Sequence, residues 1–142
     1  MLKNNLGFII FVYFINVVLY FITFSWIVIL EKNKCECSNN WKREFIKYFL
    51  LIFISYIILS ILFQLTNTNS IVFNYIKYIL YVAEIVFIII TFIYIQELIK
   101  NKCECSKMIQ RDITYIYTIV DIIVILLSIF LAICVTIYKT LN

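Results

Sequence analysis

Four of the five cysteines in this chain stand in two copies of one heptapeptide. Lys32-Asn33-Lys34-Cys35-Glu36-Cys37-Ser38 recurs letter for letter as Lys100-Asn101-Lys102-Cys103-Glu104-Cys105-Ser106, at an offset of 68 residues. Thiolates bind zinc tetrahedrally and copper(I) favours sulfur, so Cys35, Cys37, Cys103 and Cys105 supply a full ligand set if the two segments meet. A divalent cation held by four thiolates keeps about two negative charges, which Lys32, Lys34, Lys100 and Lys102 offset at short range. The one-residue spacing is tighter than the roughly two to four residues usual between paired zinc cysteines. The same thiols have other fates open to them: disulfide or redox chemistry, acylation beside a bilayer, or no special role. Cys134 stands apart in an apolar run, where packing is the expected role.

A second group that could do chemistry lies within the apolar sequence. Glu84 and Asp121 are carboxylates in the midst of long hydrophobic runs, where an anion facing lipid costs a few kcal/mol. Each is therefore expected to face other helices or water, or to carry a proton. At about 100° per residue, Thr114, Thr118, Asp121, Ser128, Ala132 and Thr136 fall on one line, and Lys77, Tyr81, Glu84 and Thr91 on another. Asn16 is the counterpart of Glu84 at the 68-residue offset and shares a face with Tyr13, Tyr20 and Thr23. Two readings follow. The stripes bond to one another across helices and hold a bundle together, or Glu84 and Asp121, with Tyr81 and Asn16, are stations on a proton or ion path.

The elements that must position these groups are membrane-spanning helices. Of 142 residues, 65% are hydrophobic and 14% charged, with one glycine and no proline, which no soluble domain of this size could bury. Four apolar runs, over residues 6–30, 45–65, 71–95 and 113–137, are each long enough to cross a bilayer. The first far exceeds a signal-peptide core and no small-residue cleavage site follows it, so it is expected to persist. Runs this long without polar alternation are helices in lipid, because the backbone must satisfy its hydrogen bonds within the segment.

The offset spans two such runs with their connections. It predicts an all-α membrane protein of four spans, built as two tandem helical hairpins, residues 1–68 and 69–142, inserted the same way up. An axis along the membrane normal would then bring the two Cys-x-Cys loops to one face. Nine lysines and arginines lie on that face: Lys32, Lys34, Lys42, Arg43, Lys47, Lys100, Lys102, Lys107 and Arg111. Only Lys3, Lys77 and Lys139 lie opposite. The positive-inside rule places the loops in the cytoplasm and both termini outside or in a lumen. Trp41, Lys42, Arg43 and Arg111 are expected to anchor the loop ends at the headgroups.

The stretch Lys34-Cys35-Glu36-Cys37-Ser38, followed by Trp41-Lys42-Arg43-Glu44 and an aromatic helix, resembles multi-span membrane proteins of nucleocytoplasmic large DNA viruses. The bias toward Ile, Asn, Lys, Tyr and Phe is similar to that of AT-rich viral genomes. The second copy departs by having Ile109 in place of Trp41. The resemblance implies a virion or host-membrane protein and no particular activity.

Absences narrow the field. Without histidine there is no imidazole base or ligand, and with Gly7 as the one glycine there is no phosphate-cradling loop and no Gly-x-x-x-Gly face. The net charge of +4 sits at loop ends, so the expected partners are the bilayer and further copies of the chain, with no nucleic acid. The sequence thus predicts a non-enzymatic membrane protein of structural or assembly type with a paired cysteine cluster and zinc as its candidate cofactor. A small oligomeric channel or proton-linked transporter, and a membrane thiol-redox protein, are the competing readings.

Overall fold

The computed structural model describes residues 3–65 and 71–141. It is helical throughout: α1 (Lys3–Lys32), α2 (Trp41–Leu65), α3 (Ile71–Lys100) and α4 (Ile109–Leu141), with single 3₁₀ turns at Glu36–Ser38 and Glu104–Ser106. The helices overrun the predicted apolar spans by two to five residues at their loop ends, because helical hydrogen bonding continues through the polar and charged residues that flank the apolar run.

Among the described residues, three stretches are long and apolar enough to cross a membrane: Phe14–Lys32, Tyr78–Lys100 and Ile109–Tyr138. α2 carries Lys42, Arg43, Glu44 and Lys47 in its first two turns and no charged residue from Tyr48 to Leu65.

α1 packs against α2 and α4, and α3 packs against the same two helices. In lipid the hydrophobic effect does not hold helices together; close packing and hydrogen bonds do. Among the described residues, the buried positions concentrate at the loop end. Tyr20, Thr23, Trp26, Ile27 and Leu30 of α1 are buried, and so are Ile88, Thr91, Tyr94, Ile95 and Leu98 of α3, each 68 residues on. Ile46, Phe49 and Leu50 of α2 likewise match Thr114, Tyr117 and Thr118 of α4. Phe49 stacks on Phe87 at 4.5 Å, and Tyr20 meets Phe53 edge-on at 4.8 Å. Farther along α4, Leu126, Phe130, Ile133 and Ile137 are exposed, with Ser128 and Thr136 among them. The polar line read from α4 therefore splits: Thr114 and Thr118 are buried, whereas Ser128, Ala132 and Thr136 are exposed.

Both α1 and α3 end in the same device. Lys34 and Lys102 adopt positive φ, 51° and 49°. Cys35 N–H donates to Leu30 C=O at 3.1 Å and Lys34 N–H to Glu31 C=O at 3.0 Å. Cys103 N–H and Lys102 N–H make the corresponding bonds to Leu98 and Ile99. These are Schellman motifs with lysine where glycine is usual, and they turn each Cys-x-Cys back over the helix end. α2 then starts under a side-chain cap, Asn40 Oδ1 accepting from Lys42 N–H and Arg43 N–H at 3.0 and 3.3 Å. Met108, at the same place before α4, has no side-chain oxygen, and only its backbone C=O accepts, from Arg111 N–H at 3.0 Å and Asp112 N–H at 3.4 Å.

Candidate functional site

The two loops converge on one cluster. Cys35 bonds to Cys105 and Cys37 to Cys103, crossed disulfides between segments 70 and 66 residues apart, each with its Cα atoms 5.9 Å apart. The other four sulfur separations are non-bonded: 3.7 Å for Cys35–Cys37, Cys103–Cys105 and Cys35–Cys103, and 3.3 Å for Cys37–Cys105. All four sulfurs thus share one small volume, close enough to ligate a single metal ion. Cys35 and Cys103 are buried and form its floor, while Cys37 and Cys105 are exposed.

The polar residues around the cluster hold the loops in shape. Ser38 and Ser106 each donate a hydrogen bond to the carbonyl of the cysteine three residues before, at 2.7 Å. Arg43, expected at the headgroups, is buried instead; its Nη1 donates to Ser38 Oγ at 3.2 Å and its Nη2 to Asn39 Oδ1 at 2.7 Å. Lys42 is also drawn inward, its Nζ 2.6 Å from Glu97 Oε1 on α3. Trp41 is exposed. Arg111 holds Asp112 Oδ1 through Nε and Nη2 at 3.1 and 3.0 Å. Tyr94 Oη donates to Ser38 C=O at 2.9 Å, fixing the first loop to α3.

The polar residues set within the apolar runs also meet. Asn16, Tyr81, Glu84, Tyr117, Asp121 and Ser128 line a cavity of about 180 Å³ between α1, α3 and α4. Tyr20 Oη donates to Glu84 Oε1, and Tyr117 Oη donates to Asn16 Oδ1 at 3.2 Å. Glu84 and Asp121 are half-buried, while Tyr81 is exposed. Lys77 and Tyr13, placed on the same stripes, have side chains outside the described residues.

No known protein family, curated protein or solved structure matches the chain.

Two participants escaped the sequence reading. Tyr20 was expected only to share a face with Asn16, yet it is the direct partner of Glu84. Asn39 carried no visible signal, although its place four residues before Arg43 at a helix start is a common geometry for such a bond. A further pair divides unequally. Thr23 Oγ1 lies 3.1 Å from Thr114 Oγ1, while Thr91, 68 residues after Thr23, is fully buried with no partner for its hydroxyl among the described residues. Ile46 stands where a matching threonine would be.

Proposed function

We propose that this is a structural membrane protein whose four helices cross the bilayer as two copies of one hairpin, clasped on the cytoplasmic face by the four-cysteine cluster. The observation that carries the reading is the convergence of all four sulfurs, drawn from loops 68 residues apart, with non-bonded separations of 3.3 to 3.7 Å. The burial of equivalent positions on α1 and α3, and on α2 and α4, supports the two-copy arrangement about an axis along the membrane normal.

In a reducing cytoplasm disulfides seldom persist, and there the cluster holds one zinc ion. Zinc–sulfur bonds of about 2.3 Å in a tetrahedron place sulfurs about 3.8 Å apart, close to four of the six separations already present. The disulfides join the same two loops as the metal would, so the hairpins are fastened in either state. The reading involves no catalytic step and no nucleic acid. The resemblance of the first loop to viral multi-span proteins supports residence in a virion or host membrane, with further copies of the chain as neighbours.

Metal analysis after anaerobic, reducing, chelator-free purification tests the zinc state. One zinc per chain is expected, falling to near none in Cys35→Ser and Cys103→Ser. A folded, reduced chain without stoichiometric metal overturns it.

The cavity between Glu84 and Asp121 favours a second reading, a proton or cation path in which these carboxylates are relay groups. Flux into proteoliposomes that is lost in Glu84→Gln and Asp121→Asn is its expected signature. Flux that survives both substitutions, or no flux from the native chain, refutes it.

A further inference from the structure

The two loops share a backbone but not a charge, and the difference points to a ligand. On the second loop a pocket of about 190 Å³ opens beside the cysteine cluster, with Leu98 and Ile99 as an apolar wall and Lys102, Lys107, Arg111 and Glu104 around it. Cys103 also lines it, and while the cysteines are paired as disulfides, and so uncharged, three cations against one acid give this pocket a formal charge of +2; it is this disulfide-bonded state that the ligand meets. Among the described residues, neither Lys102 nor Lys107 has an ion pair. Arg111 is held by Asp112 through Nε and Nη2, leaving Nη1 with a 3.5 Å contact to Ser106.

The first loop is an internal control. At the equivalent positions it has Leu30, Glu31, Lys34, Glu36, Asn39 and Arg43, two cations against two acids. Glu31 and Asn39 take the places of Ile99 and Lys107. Asn39 accepts a 2.7 Å hydrogen bond from Arg43, and Glu31 pairs with Lys47 at 2.8 Å, so that corner is satisfied internally. In the second loop the acceptor beside the arginine is replaced by a second cation. Bringing like charges together costs free energy unless an anion joins them.

We propose that the second loop binds one phosphate group, presented by an anionic phospholipid. Lys102, Lys107 and Arg111 contact the phosphate oxygens, and Ile99, exposed at the end of α3, meets the glycerol and first acyl carbons. The apolar wall and the position at a helix end favour a lipid over free phosphate. Arginine and lysine suit phosphate as fork and point charge respectively.

Native mass spectrometry of the full chain in detergent, titrated with phosphatidylglycerol or phosphatidylcholine, counts the lipids retained. One phosphatidylglycerol per chain is expected, with at least a tenfold preference over phosphatidylcholine. Ile99→Glu with Lys107→Asn, which writes the first loop's residues into the second, should remove that preference. The reciprocal Glu31→Ile with Asn39→Lys should raise the count to two. Should either double variant lose its fold, Lys107→Gln, at an exposed side chain, is expected to weaken retention several-fold with unchanged helix content. Equal retention of both lipids, or undiminished retention by folded Lys107→Gln, overturns the proposal. Inorganic phosphate that binds as tightly as phosphatidylglycerol overturns the lipid as its source.

Discussion

Thr23 and Thr91 offer a test in which one substitution, made at two equivalent places, has opposite effects. Both are fully buried in the same layer of the bundle. Thr23 Oγ1 contacts both Thr114 Oγ1 at 3.1 Å and Leu19 C=O at 3.0 Å, and Thr114 donates to Gln110 C=O at 2.8 Å, so the single Thr23 proton is shared between Thr114 and Leu19. Thr23→Val therefore removes one interhelical hydrogen bond without orphaning its partner, a loss of about 1 kcal/mol. Thr91 Oγ1 is buried without a partner, so Thr91→Val removes an unsatisfied group of similar size and gains about 1 kcal/mol. The two variants should differ by about 2 kcal/mol, roughly a thirtyfold difference in the unfolding equilibrium. Unfolding in mixed micelles by increasing SDS, followed through the fluorescence of fully buried Trp26, measures it. Equal destabilisation by both substitutions, or a costlier Thr91→Val, refutes the packing described for this layer.

Two further outcomes are expected from the loops. Lys34→Gly and Lys102→Gly should each stabilise the fold by about 1 kcal/mol in the same assay, since positive φ strains a residue with a Cβ; a loss at both positions contradicts the Schellman geometry. Asn40→Ala should cost about 1 kcal/mol through its lost cap, while Met108→Asn should gain a comparable amount by creating one. Failure of both changes would mean that the starts of α2 and α4 are capped otherwise.

Much of this arrangement was legible in the sequence, and the remainder was hidden for identifiable reasons. Apolar runs and the repeated heptapeptide announce helices and two matching loops, because composition and spacing are local properties. They do not report depth. Helical spacing puts the polar residues of α4 on one line, but whether that line is covered depends on where the neighbouring helices make contact: Thr114 and Thr118 lie within the packed loop end, and Ser128 and Thr136 are exposed beyond it. Nor do they report competition between partners. Arg43 was expected at the headgroups because it is charged and near a membrane surface, yet Ser38 and Asn39 offer acceptors at shorter range and bury it. Glu84 needed an inward partner by the cost of an anion in lipid, but that Tyr20 supplies it depends on how α1 and α3 face each other. The convergence of Cys35, Cys37, Cys103 and Cys105 followed from the 68-residue offset, whereas their crossed pairing is a property of the assembled loops.

The joining of the two loops through these cysteines is the centre of the account, and peptide mapping tests it most directly. The full chain is treated with a mild oxidant, blocked with an alkylating reagent and digested with trypsin without reductant. Cleavage after Lys34, Lys42, Lys102 and Lys107 releases residues 35–42 and 103–107. The account predicts these two peptides as one species, joined by two disulfides and four hydrogens lighter than their sum. Separate peptides, each closed by its own Cys-x-Cys disulfide or each carrying two alkyl groups, would contradict it.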